Sequence, residues 1–235
     1  MATYTRPRSG NHEYRPKSAA TLTDLAYTRL REDILSGRLE PGFKLRVEHL
    51  KAHYGTGASP IREALSRLTG DGLARAEGRR GFRVSEVSRE ELMDITELRV
   101  LMETRALSPA IDAGDDDWEA EVLASFHRLS KLDESLKQEQ PGEEWEARHR
   151  DFHGALVSAC PSRWLKYFRE ILFDQSERYR RLALANAPGE RAVAEEHRAI
   201  MEATLGRDAA RACELLTTHV RTTAEAVARS ELVQD

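Results

Sequence analysis

The stretch Ser59-Pro60-Ile61-Arg62-Glu63-Ala64-Leu65-Ser66-Arg67-Leu68-Thr69 decides how the first half of this chain reads. Ser59 has helix N-cap chemistry, and Pro60 follows at the first helical position, where its missing N–H costs nothing. Ile61, Ala64, Leu65 and Leu68 then recur at helical spacing on one face, leaving Arg62, Ser66 and Thr69 on the other. Gly70 and Gly72 close the helix. Upstream, a short helix spans about Val47 to Tyr54, ends at Gly55 and connects through Thr56, Gly57 and Ala58. A further helix precedes it from about Thr23 to Ser36, with Leu25, Leu30, Ile34 and Leu35 as its apolar face and Gly37 and the Pro41-Gly42 turn as its stop. Downstream, Leu73 to Ala76 and Phe82 to Val84 flank Glu77-Gly78-Arg79-Arg80-Gly81, which predicts two short strands joined by a basic, glycine-bounded turn.

Two short helices joined by a glycine-containing turn and followed by a wing are a known solution for reading the DNA major groove. Arg62 lies in the first turn of the second helix, where such a helix meets bases or phosphates. The candidate DNA-contacting residues are Arg46, Ser59, Pro60, Arg62, Ser66, Arg79, Arg80 and Gly81. The other reading of each arginine, a merely solvated side chain, is the lesser one taken singly and is weakened further by their joint placement. The charge distribution agrees. Residues 1–87 carry 16 Lys+Arg against 10 Asp+Glu, whereas residues 88–235 carry 20 against 30, within an overall charge of -4. A basic module joined to an acidic one points to a polyanion partner for the first half only.

The remainder bounds the class. Residues 1–20 lack periodicity and read as a disordered arm, residues 21–87 as the winged helix-turn-helix, and residues 88–235 as an all-helical domain. Helices are expected near 88–113, 116–138, 143–160, 163–186, 190–206 and 208–230, with breaks at Gly114, Pro141-Gly142, Pro161, Pro188-Gly189 and Gly206. The predicted fold is mainly α: a winged helix-turn-helix followed by an antiparallel helical bundle. No apolar run approaches the roughly 20 residues that span a bilayer, and the polar opening from Met1 to Lys17 has no apolar segment of signal-peptide type. A cytoplasmic protein is expected, with Cys160 and Cys213 as reduced core thiols.

Four histidines stand out in the helical half. His149 and His153 are four apart on a helix whose apolar stripe is Trp145, Phe152, Leu156 and Cys160. His197 sits on the stripe of Val193, Ile200 and Thr204, and His219 lies among Leu215, Leu216, Val220 and Thr223. A lone inward histidine is usually a hydrogen-bonded core residue, the reading kept for His127. Four from three helices form a plausible metal shell, best suited to zinc or nickel. Arg99 shares a stripe with Ile95, Met102 and Ala106, so its guanidinium should point inward and need an anion, either Glu103 or a ligand carboxylate. Arg178, Tyr179 and Arg180 lie on a neighbouring helix with ambiguous facing, and Tyr179 and Arg180 join Arg99 as candidate effector contacts. His149-Arg150-Asp151 also spells the start of a kinase catalytic loop, but Leu156 occupies the place of its asparagine, and the reading fails.

The first half resembles the GntR family of bacterial regulators. The resemblance rests on Gly37-Arg38-Leu39-Glu40-Pro41-Gly42, Leu45, Leu50, Ser59 through Leu65, Leu68, Asp71-Gly72-Leu73 and Gly81-Phe82-Arg83-Val84. It implies that Arg62 contacts DNA; Ala58 stands where the family often has an arginine. The second half resembles the effector domain of the FadR subfamily through Glu97-Leu98-Arg99, Glu103, Phe152-His153, Glu196-His197 and Gly206-Arg207-Asp208 through His219. That resemblance implies His153, His197 and His219 as metal ligands, with His149 in place of the usual aspartate. His149 through His153, with Cys160, is similar to a carbon-starvation branch that responds to glutarate. The resulting expectation is a homodimeric repressor that binds double-stranded DNA and senses a small carboxylate, most plausibly a dicarboxylate. A metal sensor without organic effector and a metal-dependent enzyme are the other two readings; the enzyme leaves the winged helix unexplained and lacks an evident general base.

Overall fold

The computed structural model describes residues 21–78, 81–133, 142–184 and 193–230. The predicted N-terminal arm, Arg79 and Arg80, and the expected ends of the helices near 138 and 186 lie outside the described residues. Helix α1 (Leu22–Leu35) starts earlier than expected because Thr21 and Asp24 form a reciprocal capping box. Its buried face is Ala26, Leu30, Ile34 and Leu35; Leu25, assigned inward from sequence, is 47% exposed, one position off the stripe. Strand β1 (Lys44–Leu45) follows, then α2 (Val47–Tyr54), which ends on Gly55 in the left-handed conformation.

Helix α3 (Ala58–Gly70) corrects the cap assignment. Gly57, not Ser59, is its N-cap, and Pro60 sits deeper in the first turn, where a missing N–H is still harmless. Its apolar face is as read: Ile61, Ala64, Leu65 and Leu68 are buried. The strands β2 (Ala74–Ala76) and β3 (Phe82–Val84) pair antiparallel, and β1 adds to the other edge of β3, giving the order β1-β3-β2. The wing is therefore a three-stranded sheet rather than the expected hairpin. Two residues of β1 carry no periodic signal, and their pairing with Phe82 and Arg83 is non-local.

The helical half comprises α4 (Arg89–Ala113), α5 (Asp116–Asp133), α6 (Glu143–Val157), α7 (Arg163–Leu184), α8 (Val193–Leu205) and α9 (Ala209–Ala228). Helix α4 lies against α6, α7 and α9, and α5 against α6 and α8. Leu107, Ile111, Val122, Leu129, Phe152, Leu156, Ile200 and Leu216 fill the shared core, with the free thiol of Cys160 among them. The α8–α9 turn departs from the expected glycine break: Arg207, not Gly206, takes the left-handed conformation (φ 59°). Its guanidinium donates to the carbonyls of Ile111 and Gly114 and to Glu119, stitching two turns together and offsetting the strain.

Helix α7 joins the two halves, and Arg38 adds an ion pair to Glu143 of α6 at 2.8 Å. Helix α7 packs on α1 through a two-bond ion pair between Arg31 and Asp174, and Arg181 pairs with Glu32 at 2.7 Å. Gln175 donates to the carbonyl of Asp71 (2.7 Å), and Arg178 to that of Ser85. Gly37 has φ +76°, and a side chain there would press on Leu182.

Gly114 generates a packing prediction. A Cβ at this position would stand 2.1 Å from the Trp118 ring, which is itself fixed by its Nε1–H donating to the carbonyl of Ala155 (2.9 Å). Gly114→Ala is expected to destabilise the helical half by about 1–3 kcal/mol through overpacking. Gly142→Ala, with open space around it, should change stability by only a few tenths of that. Urea denaturation of both variants measures the difference.

Candidate functional site

The winged helix presents its second helix to solvent. Arg62 and Ser66 are exposed on α3, as is Ser59 in its first turn, while Pro60 is half-buried. The Ser66 hydroxyl donates to the carbonyl of Arg62 (3.0 Å). Gly57 caps α3 without a side-chain hydrogen bond, so the first amides of the helix remain directed at the surface, the arrangement that receives phosphate. Arg46 is the exposed N-cap of α2. Gly81 has φ 101°, a conformation that favours glycine, and its carbonyl accepts from Glu77 N at 2.8 Å to close the turn at the wing tip. Arg75, exposed on the wing and paired with Glu86, is a surface cation that the sequence reading passed over.

The four histidines converge. Helix α6 supplies His149 and His153, α8 supplies His197 and α9 supplies His219. All four are buried, and one ligand atom from each lies within 4.8 Å of the others. Ring centroids are 4.5 Å apart for His149–His153 and 4.8 Å for His197–His219. Both ring nitrogens of His153 and Nδ1 of His149 are buried without a hydrogen-bond partner among the described residues. Nδ1 of His219 meets Glu196 at 2.8 Å, the kind of outer carboxylate that fixes a ligand's tautomer and orientation. Burial, then the neighbouring His153 and Arg180, holds His149 well below the usual histidine range. Burial, followed by His219, His197, Arg99 and Arg169, does the same to His153. Neutral imidazoles with unpartnered nitrogens fit a divalent transition metal.

A cationic layer adjoins the histidines across one ring. Phe173 of α7 lies 5.7 Å from His153 and 5.9 Å from His149, centroid to centroid. The guanidiniums of Arg99, Arg150 and Arg169 stand 4.6, 4.8 and 4.8 Å from the same ring. Arg99 reaches Glu103 (3.4 Å), one of the two partners expected for it, and the Ser176 hydroxyl (2.7 Å), yet its Nη2 has no partner among the described residues. Burial pushes its pKa down to about 10, against the pull of Glu103, with Arg169 and Arg180 adding to the fall.

The other two effector candidates are placed differently. Tyr179 does not reach the histidines: its hydroxyl accepts from Ser88 N (3.0 Å) and donates to Glu91, and its ring packs with Leu92 and Ile95. Arg180 borders the site through Trp145, which stacks on His149 at 4.6 Å, but Glu146 takes its fork in two hydrogen bonds. Arg169 and Phe173 were missed from sequence. Their helix shows an exposed aromatic face of Trp164, Tyr167 and Phe168, which masks the inward one.

Comparisons with known proteins agree with this architecture. Residues 22–84 match the family model of bacterial regulatory proteins, gntR family, and residues 94–222 match the FCD domain. The HTH-type transcriptional regulator BphR of Paraburkholderia xenovorans is 41% identical over 91% of this chain and 88% of its own length. The HTH-type transcriptional repressor GlaR of Escherichia coli is also 41% identical, over 86% of this chain and 94% of its own. The solved structure of E. coli McbR/YncC shares the fold at a TM-score of 0.77, with 21% identity over 89% of this chain and 98% of that one. An exposed recognition helix, a wing and a helical domain thus sit in one chain with relatives of the same plan along nearly its whole length, and the chain is a DNA-binding transcription regulator of the gntR family, FCD branch.

Proposed function

We propose that the protein is a repressor that binds operator DNA as a homodimer and leaves it when a small dicarboxylate, glutarate or a relative, occupies a metal-assisted site in the helical domain. The observation that carries this reading is the convergence of four buried imidazoles, with Nδ1 of His149 and both ring nitrogens of His153 unpartnered among the described residues, beside the unfilled donor of Arg99. His149, His153, His197 and His219 would hold zinc or nickel; an all-nitrogen set disfavours magnesium and calcium. Bound there, the metal supplies a Lewis-acid seat for one carboxylate. Arg99 offers its guanidinium to the other. The repressor reading draws on the named repressor among the relatives, and glutarate on the resemblance of residues 149–153 and Cys160.

On the DNA side, Arg62 and Ser66 face the groove, the start of α3 at Ser59 and Pro60 receives a phosphate, and Arg46, Arg79, Arg80 and Gly81 border the backbone. Two-fold operators require a dimer. The exposed aromatic cluster of Trp164, Tyr167 and Phe168 on α7, together with the exposed Leu98 and Leu101 of α4, supports a second copy of this chain as a cover. No described helix is long and apolar enough to cross a membrane, in keeping with work on cytoplasmic DNA.

The ligand site has a physical connection to the DNA-binding half. Arg150 lies between the two histidines of α6 and bonds Asp174 (2.7 Å) and Glu177; Asp174 in turn holds Arg31 of α1. A ligand shifts DNA affinity only if it favours one arrangement of the two halves over another, and these ion pairs are where such arrangements differ. One observation favours a second reading. Four imidazoles alone complete a tetrahedral shell, and closed shells are structural or sensory. In that case the metal is the signal and no acid is needed.

Fluorescence anisotropy with operator DNA separates these readings. Metal-loaded protein is expected to lose DNA affinity on addition of glutarate, whereas a response to metal alone, with no acid having any effect, selects the metal sensor. Arg62→Ala should weaken DNA binding by about 1–3 kcal/mol if it reads a base. An unchanged affinity and salt slope removes Arg62 from the interface. For the metal, elemental analysis after dialysis without chelator should find zinc or nickel in the wild type, and none in His197→Ala combined with His219→Ala. Retention of metal by that double variant contradicts the assigned ligands.

A further inference from the structure

We propose that Arg169, together with Arg99, forms the seat for the second carboxylate of the effector, and that Phe173 packs against the chain between the two carboxylates. This rests on the reading of a dicarboxylate effector and adds the residue that selects for the second acid group. Arg169 is wholly buried on α7. Its Nε donates to Glu103 at 2.9 Å and its Nη1 to Glu170 at 2.7 Å, while Nη2 has no partner among the described residues. Arg99 shares Glu103 from the other side and likewise keeps an unpartnered Nη2. Two guanidiniums thus lean on one buried carboxylate, with a buried donor left over on each.

The rest of the cationic layer is satisfied. Arg150 meets Glu170, Asp174 and Glu177, and Arg180 is held in two bonds by Glu146. The residual positive charge therefore resides on the Arg99–Glu103–Arg169 triplet. Glu170, the other carboxylate on Arg169, is half exposed and divides its charge with Arg150. A desolvated cation with an unused donor gains most from an anionic oxygen, and the two guanidiniums, from α4 and α7, both lie on Glu103 and stand 4.6 and 4.8 Å from the Phe173 ring, close enough in the proposal to serve the two oxygens of one carboxylate. The triplet stands against Phe173 on the side reached by the guanidiniums, while His149 and His153 reach the same ring. A ligand with one acid group at the histidines and one at the arginines lays its methylenes along that ring. A monoacid uses only the first contact.

Calorimetric titration of the metal-loaded full chain with glutarate and with pentanoate, which has the same carbon count and one acid group, tests this. Arg169→Gln should lose on the order of 30-fold in glutarate affinity while binding pentanoate as the wild type does, with an unchanged metal content. Thermal melting checks the fold. If Arg169→Gln does not fold, Arg169→Lys carries the same comparison: it keeps the charge, loses the fork, and should lower glutarate affinity by about tenfold with pentanoate unaffected. Wild-type affinity for glutarate in a folded variant, or equal losses for both acids, overturns the assignment of Arg169 and leaves the dicarboxylate reading standing. A wild type that binds neither acid overturns both.

Discussion

The helical half is organised around a cost: four imidazoles are removed from water into one core, and those of His149 and His153 keep ring nitrogens without a partner among the described residues. A buried unsatisfied polar group typically costs about 1–3 kcal/mol, and three ring nitrogens of His149 and His153 are in that position. Apolar residues of similar volume would pack there without penalty. The chain instead brings one or two histidines from each of α6, α8 and α9 to the same point and backs His219 with Glu196. Such an arrangement is stable when something offsets the desolvation, and neutral nitrogen donors at this spacing are offset by a metal. The bundle's other polar features follow. Trp145 stacks on His149, Arg180 lies over Trp145, and Glu146 neutralises Arg180, so that the charge nearest the histidines on that side is cancelled. On the opposite side Arg99 and Arg169 are only half cancelled by Glu103. The asymmetry gives the centre a direction.

Helix α7 carries that direction to the DNA-binding half. Arg169 and Phe173 face the histidines, Asp174 and Gln175 hold α1 and the end of α3, and Arg178 reaches the strand end at Ser85. These contacts lie between residues 169 and 178 of a single helix. Phe173, which packs against His149 and His153, and Asp174, which holds Arg31 of α1, are adjacent residues. Arg150 closes the loop, since its backbone is fixed by the histidine helix and its guanidinium by Asp174 and Glu177. The winged helix is thus held by ion pairs and side chain-to-backbone hydrogen bonds rather than by a continuous apolar core, a joint suited to rearrangement at modest cost.

Much of this was legible in the sequence, and the misses share a cause. The α3 face, the wing strands and the convergence of His149, His153, His197 and His219 follow from local spacing, because helical period fixes which residues point inward. Arg99 was placed inward on the same ground. What escaped depended on contacts across the fold. Ser59 has good capping chemistry, yet the chain enters the helix two residues sooner, from Gly57. Strand β1 exists only because β3 lies beside it. The facing of Tyr179 is ambiguous in the sequence; it is buried, and its hydroxyl turns to Ser88 and Glu91 at the domain joint, which no spacing rule reveals. Arg169 was hidden because the N-terminal half of α7 has aromatic residues on its outer face and a charged one inside, the reverse of the usual amphipathic pattern.

X-ray absorption at the metal edge of protein loaded with zinc tests the central claim most directly, because it reports the donors themselves. The account predicts a shell of nitrogen atoms at about 2.0–2.1 Å with the outer scattering of imidazole rings, lost when His153 and His197 are replaced. A shell dominated by oxygen or sulfur, or an imidazole signal that survives those replacements, would contradict it.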